Sequence, residues 1–144
     1  MGHTRYETDV VAWANEQAAL LRAGKFSEID VVNIAEEIED VGRSEKRELA
    51  SRMAILLSHL LRWQFQPGCR SPSWQRIIKE QRKALALHIK DTPSLKSTIA
   101  DKNCFAKIWS DAVSSAVDET WLDMFPDECA WNISQILSQE FYPD

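Results

Sequence analysis

Leu49, Met53, Leu56, Leu57, Leu60 and Trp63 recur at steps of three and four between residues 44 and 65, which places them on one stripe of an α-helix. The stripe is the strongest constraint in the chain. Its nearly apolar core, MAILLSHLL, is far shorter than the roughly 20 residues needed to span a bilayer, so the stripe must be covered by other protein segments. No stretch alternates with the period of two that a half-buried strand needs, and none has the β-branched density of a sheet. The expected fold is all-α: a single domain over residues 1–144, built as a bundle of about five to seven helices with an antiparallel core and a short C-terminal helix.

The helices can be placed in order. The first spans about Tyr6 to Ala23, with Val10, Trp13, Ala14, Gln17 and Leu21 inward and Gly24 at a left-handed cap. A second is expected from Glu28 to Val41, started by Ser27 with Asp30 returning the bond, and carrying Val31, Ile34, Ala35, Ile38 and Val41 on its apolar face. Gly42 either ends it or kinks a longer helix into the third, residues 44 to 65. QPGCRSP is the clearest loop, because prolines and a glycine stop helix propagation. A fourth helix runs from Ser73 or Trp74 to Lys90, with Trp74, Ile78, Leu85 and Ile89 inward. Thr92 and Pro93 read as the cap and first residue of the next segment, which breaks near residues 101–103 and continues to Glu119. FPDECAW is irregular, and Asn132 caps a last helix with Gln135 in the reciprocal position.

Composition narrows the function classes. Of 144 residues, 44% are hydrophobic and 27% charged, as in a globular chain, and the formal charge of −5 disfavours general nucleic-acid binding. The amino end has no apolar signal-peptide region, so the reading is a cytoplasmic protein without a membrane segment. Cys69, Cys104 and Cys129 are an odd number at wide spacing, with no Cys-x-x-Cys pair; they read as buried free thiols rather than a disulfide framework or zinc site. Six tryptophans are many for this length, and some are candidates for a groove or interface.

Glu36, Glu37, Glu39 and Asp40 precede Gly42, but on a helical wheel only Glu37, with Asp30, lies beside the apolar face. His59 flanks the leucine stripe, with Trp63 one turn on. Antiparallel packing of the third and fourth helices sets His59 opposite Trp74, Gln75 and Ile78 rather than His88, which favours a hydrogen-bonded histidine in a helix interface. A di-iron bundle would need Glu-x-x-His, whereas Leu56 and Leu85 stand three residues before His59 and His88; His3 sits at the terminus, and no metal or cofactor is assigned. No G-x-S-x-G elbow is present, and no cysteine has a nearby histidine. Arg70, Arg76, Lys79, Arg82, Lys83 and Lys90 form a basic strip, read as a solvated face paired with the acidic second helix or as a surface for an anion, an acidic partner or RNA beside Trp74.

The run from YETDVVAWANEQAALLRAGKF through AEEIEDVGRSEKRELASRMAILLSHLLRW, followed by SPSWQRIIKEQR, TPSL and FPDECAW, closely resembles the domain-of-unknown-function family numbered twenty-nine, DUF29, over nearly the whole chain. The resemblance implies a small all-helical bacterial protein and no particular activity. It draws interest to Glu37, His59 and Trp63; with Trp74 and Arg82 these make up a candidate polar groove. Arg62, where family members often have lysine, and Ala130, where many have proline, depart from the pattern. The expected function is a non-enzymatic protein–protein interaction or accessory role, by self-association or with a protein partner. The alternatives are a metal-dependent or other enzyme with a site around His59 and, third, a nucleic-acid binder; no small-molecule ligand is specified.

Overall fold

A computed structural model describes residues 4–144. Six α-helices and one 3-10 turn make up the regular structure, with no strand among the described residues: α1 Val10–Arg22, α2 Val31–Phe65, the turn Pro67–Cys69, α3 Pro72–Asp91, α4 Leu95–Ala100, α5 Lys102–Thr120 and α6 Ile133–Leu137. The chain divides into two compact units, one ending at Glu45 and the other covering Lys46–Asp144.

The first unit is a helical hairpin. Asp9 caps α1 by accepting from the Ala12 N–H, and α1 ends in a full Schellman pattern: Lys25 N–H donates to Leu20 O, Gly24 N–H to Leu21 O, and Gly24 takes φ +73°. The cap of α2 is not Ser27 but Asp30, whose Oδ1 accepts from the Asn33 N–H at 3.3 Å. Tertiary bonds explain the shift. Asp30 N–H donates to Gln17 Oε1 at 2.7 Å and Trp13 Nε1–H donates to Asp30 Oδ2 at 3.0 Å, so the residue that enters α2 is the one α1 holds.

Of the two readings of Gly42, the structure shows continuity: α2 runs unbroken for 35 residues. No turn chemistry surrounds Gly42, and one glycine costs a helix only about 0.5–1 kcal/mol. Past residue 46 the helix changes character. Leu56, Leu57, Ser58, His59, Leu60 and Leu61 are all buried, so over more than a full turn it has no solvent face.

The second unit surrounds that stretch. α3 contributes Ile78, Arg82 and Leu85, α4 Leu95 and Ile99, α5 Ile108, Trp109, Ala112 and Ala116, and the C-terminal part Phe125 and Ile136. α2 and α3 are antiparallel as expected. Arg62 stands over Trp74, Arg52 Nη1 donates to Gln81 Oε1 at 3.4 Å, and Glu48 lies 3.5 Å from His88. The irregular segment after α5 is fixed by rings, Phe65 on Phe125 and Trp109 on Trp131, and by a 3.1 Å bond from Trp109 Nε1–H to Pro126 O.

Other boundaries moved for local reasons. α3 starts at Pro72 rather than at Ser73 or Trp74, because Ser71 caps it by accepting from the Trp74 N–H. Thr92 closes α3 instead of opening the next helix, because Thr92–Ser94 form a tight turn whose carbonyls take the N–H groups of Leu95, Lys96 and Ser97. The break at 101–103 is where expected, with Asp101 capping α5, and the Asn132–Gln135 capping box is complete. The thiols are free but not buried: Cys69 is exposed, and Cys104 and Cys129 are half-buried.

The two hairpin glycines should respond oppositely to alanine. A Cβ at either meets no atom within 4 Å, so only backbone conformation matters. Gly24→Ala forces a side chain into the left-handed region and should cost about 1–2 kcal/mol; Gly42→Ala, in mid-helix, should add about 0.5–1 kcal/mol. Urea unfolding of both variants beside the wild type measures the signs.

Candidate functional site

The six-residue buried stretch explains His59. With no solvent face on α2 at that level, the imidazole is 9% exposed and must find partners inside the fold. Nδ1 lies 2.8 Å from the Ile55 carbonyl, which can only accept, so Nδ1 carries the proton. Nε2 then holds the lone pair and accepts from Arg62 Nη2–H at 2.9 Å. Burial lowers the His59 pKa below its ordinary value of 6.5, against the pull of the Ile55 carbonyl and with help from the Arg62 charge. Arg62 stacks its guanidinium 5.4 Å from the centre of the Trp74 ring, and Glu119 supplies a favourable charge to both His59 and Arg62. The result is a neutral histidine held at both nitrogens. Using Nε2 as a base or metal ligand would require Arg62 to leave.

Trp63 and Arg82 belong to a different cluster. Arg82 is 1% exposed on α3, and its partners among the described residues are backbone carbonyls rather than a carboxylate. Its Nε–H donates to Ile136 O at 2.8 Å and its Nη2 to Phe141 O at 2.7 Å, while the Tyr142 ring lies 5.4 Å from the guanidinium carbon. Burial lowers the Arg82 pKa from its usual value. Tyr142 in turn packs on Trp63 at 4.9 Å between ring centres. Arg70 completes the cluster, stacking 5.0 Å over Trp63 and donating to Trp63 O at 2.8 Å and Pro143 O at 3.4 Å. Two members of the basic strip are therefore clamps on the C-terminal segment. Three exposed members of the strip, Arg76, Lys79 and Lys83, line an open groove of about 910 Å³ with Gln75 and Tyr142, and Arg76 pairs with Glu80 at 3.5 Å.

Glu37 lies in the first unit, where its carboxylate accepts from the Tyr6 hydroxyl and pushes the Tyr6 pKa up to about 12. The Tyr6 ring meets Trp13 edge-on at 4.8 Å. Asp30, held by Asn33, has its carboxyl below the usual range. Glu36, Glu39 and Asp40 share Arg43 on the surface. The structure thus brings His59 and Trp74 together through Arg62, Trp63 and Arg82 together through Tyr142, and uses Glu37 elsewhere. His3 lies outside the described residues.

The defining sequence pattern of a family described as domain of unknown function DUF29 matches residues 5–142. The chain belongs to the DUF29 family. No curated protein and no solved structure matches it. Within this DUF29 chain, sequence reasoning missed Arg62 and Tyr142, the residues that link the aromatic and charged groups. Arg62 was legible only as the i+3 neighbour of His59; Tyr142 carried no local signal.

Two variants separate these roles. His59→Ala removes the acceptor of half-buried Arg62 and leaves a cavity in the helix interface, and should cost about 1–3 kcal/mol at pH 7.5. Because the folded pKa lies below the unfolded one, the stability His59 contributes is complete above about pH 6.5 and falls as pH drops toward the folded pKa. Urea midpoints at pH 7.5 and 5.5 should therefore converge between variant and wild type. Arg82→Leu removes the donors of Ile136 O and Phe141 O; we expect residues beyond Asn132 to become the first site of limited proteolysis, with Arg82→Lys failing to restore protection because ammonium lacks the guanidinium fork.

Proposed function

We propose that this DUF29 protein is a non-enzymatic interaction or accessory module of the cytoplasm, working through the apolar surface of its first unit. One observation carries the reading. Of the twelve large hydrophobic side chains exposed among the described residues, eight belong to the first unit: Val10, Val11, Leu21, Phe26, Val31, Val32, Ile38 and Val41. The same unit buries only Trp13 and Gln17 among its described residues. A hairpin with so little core and so much exposed apolar surface has the composition of a contact surface.

The engagement of both His59 nitrogens supports a structural histidine rather than the alternative of an enzyme built around it. Free thiols suit a reducing compartment. No helix among the described residues is long and apolar enough to cross a membrane.

Ile38→Asp tests the reading, since Ile38 is 67% exposed and its replacement should leave stability within about 0.5 kcal/mol. Tagged wild type and variant, expressed in the source organism, should differ in what co-purifies. A protein recovered with wild type and lost with Ile38→Asp, or wild-type self-association lost in the variant, is the expected result. Identical recoveries together with a monomer in both would remove the proposal.

A further inference from the structure

The first unit has the anatomy of half a bundle. Its helices are antiparallel, since Tyr6 reaches Glu37 while Trp13 reaches Asp30. The line of contact runs through Trp13 and Gln17 on α1, through Asp30 at the cap of α2, and through Glu37 on α2, which receives Tyr6. At about 100° per residue, Val10, Ala14 and Leu21 lie roughly 40–80° from that line, and Val31, Ile38 and Gly42 roughly 90–130° from it on α2. Because the helices run oppositely, these rotations bring both stripes to the same side of the hairpin. Glu36, Asp40 and Arg43 rotate the other way. Arg43 bonds there to Glu36 at 3.1 Å and to Glu39 at 2.7 Å, with Asp40 as a third partner.

We infer that a second copy of this chain covers the apolar face, two hairpins pairing about a two-fold axis into a four-helix bundle. This rests on the interaction reading above and names its partner. Charge placement is compatible with this occupant. Residues 4–45 hold ten Asp and Glu against four Lys and Arg, a net charge of −6 against −5 for the whole chain. Opposed head-on, two such units would repel. Pairing through the apolar faces leaves the Glu36–Asp40 side of each copy outward, so the two acidic faces stand farther apart than the screening length of about 8 Å in physiological salt. Small residues at Ala14, Ala35 and Gly42, all exposed, let helices approach closely.

Area sets the strength. A fully exposed Val-to-Phe side chain offers roughly 60–120 Å² of apolar surface. Val10, Leu21, Val31, Ile38 and Val41 are 40–67% exposed, which with the alanines amounts to about 200–400 Å² per copy. At the apolar share of homodimer interfaces, the pair buries on the order of 600–1,200 Å², the lower end of specific interfaces. An interface of this size makes the dimer a reversible one.

Sedimentation equilibrium of the full chain from 5 to 500 µM tests this, with Val31→Asp and Ile38→Asp as the variants and thermal unfolding as the control that they fold. We expect a monomer–dimer equilibrium in the wild type, at least tenfold weaker in each variant, and unweakened between 50 and 500 mM NaCl. Arg76→Glu with Lys83→Glu, on the basic groove, should leave it unchanged. A strict monomer at 500 µM, a dimer that both apolar-face variants retain, or a dimer dissolved by salt would overturn the inference. A monomer whose co-purifying protein still depends on Ile38 would overturn the second copy alone and leave the interaction reading intact.

Discussion

A helix buried on every side needs neighbours on every side, and Leu56–Leu61 impose that requirement on the second unit. Successive residues at 100° steps sweep the full circle, so α3 alone cannot cover them. The short α4, α5 and the aromatic segment through Phe125, Trp131 and Ile136 close the remainder. Polar groups on such a helix must be satisfied from within. His59 does so through the carbonyl one turn back and the guanidinium one turn on, which fix its tautomer from both sides, while burial and the Arg62 charge oppose protonation.

Two cations in the second unit, half-buried Arg62 and buried Arg82, are held differently from the usual ion pair. Arg62 uses an imidazole lone pair and an indole face; Arg82 uses backbone carbonyls and a phenol ring. Neither has a carboxylate at salt-bridge distance among the described residues, and burial lowers the pKa of each. The geometric gain is specificity: a planar fork locks one carbonyl pair in one orientation, which a hydrophobic residue of the same volume would not do.

Much of the fold was legible because helices announce themselves over short distances. The Leu49–Trp63 stripe, the Gly24 cap, the Asp101 break and the Asn132–Gln135 box each depend on residues within one or two turns. What sequence misplaced depended on contacts between segments. Ser27 had the better local signature, yet Asp30 caps α2 because Gln17 and Trp13 hold it. Arg82 read as part of a solvated strip, and only the arrival of Ile136 and Phe141, 54 and 59 residues later, turns it inward. Val31, Ile38 and Val41 read as a core face; the pattern was right about amphipathicity, but the structure leaves them facing water. Of the candidate groove, the His59–Trp74 level followed from the antiparallel register, whereas the link through Arg62 and the gathering of Trp63 and Arg82 on Tyr142 required the fold.

The Arg82 clamp also sets a timetable for synthesis. Its acceptors are the carbonyls of Ile136 and Phe141, so the guanidinium emerges from the ribosome long before anything can replace the water around it. At translation rates of about 5–20 residues per second, roughly 3–12 s separate Arg82 from Phe141. During that interval α3 can form as a helix, but its inward face carries a solvated cation. Close packing of α3 on the leucine-rich stretch of α2 would at that stage desolvate a cation whose partners do not yet exist, at a cost in free energy. Early closure of the second unit is thereby disfavoured, and the full packing of α3 gains its stability only with the segment that Arg82 binds.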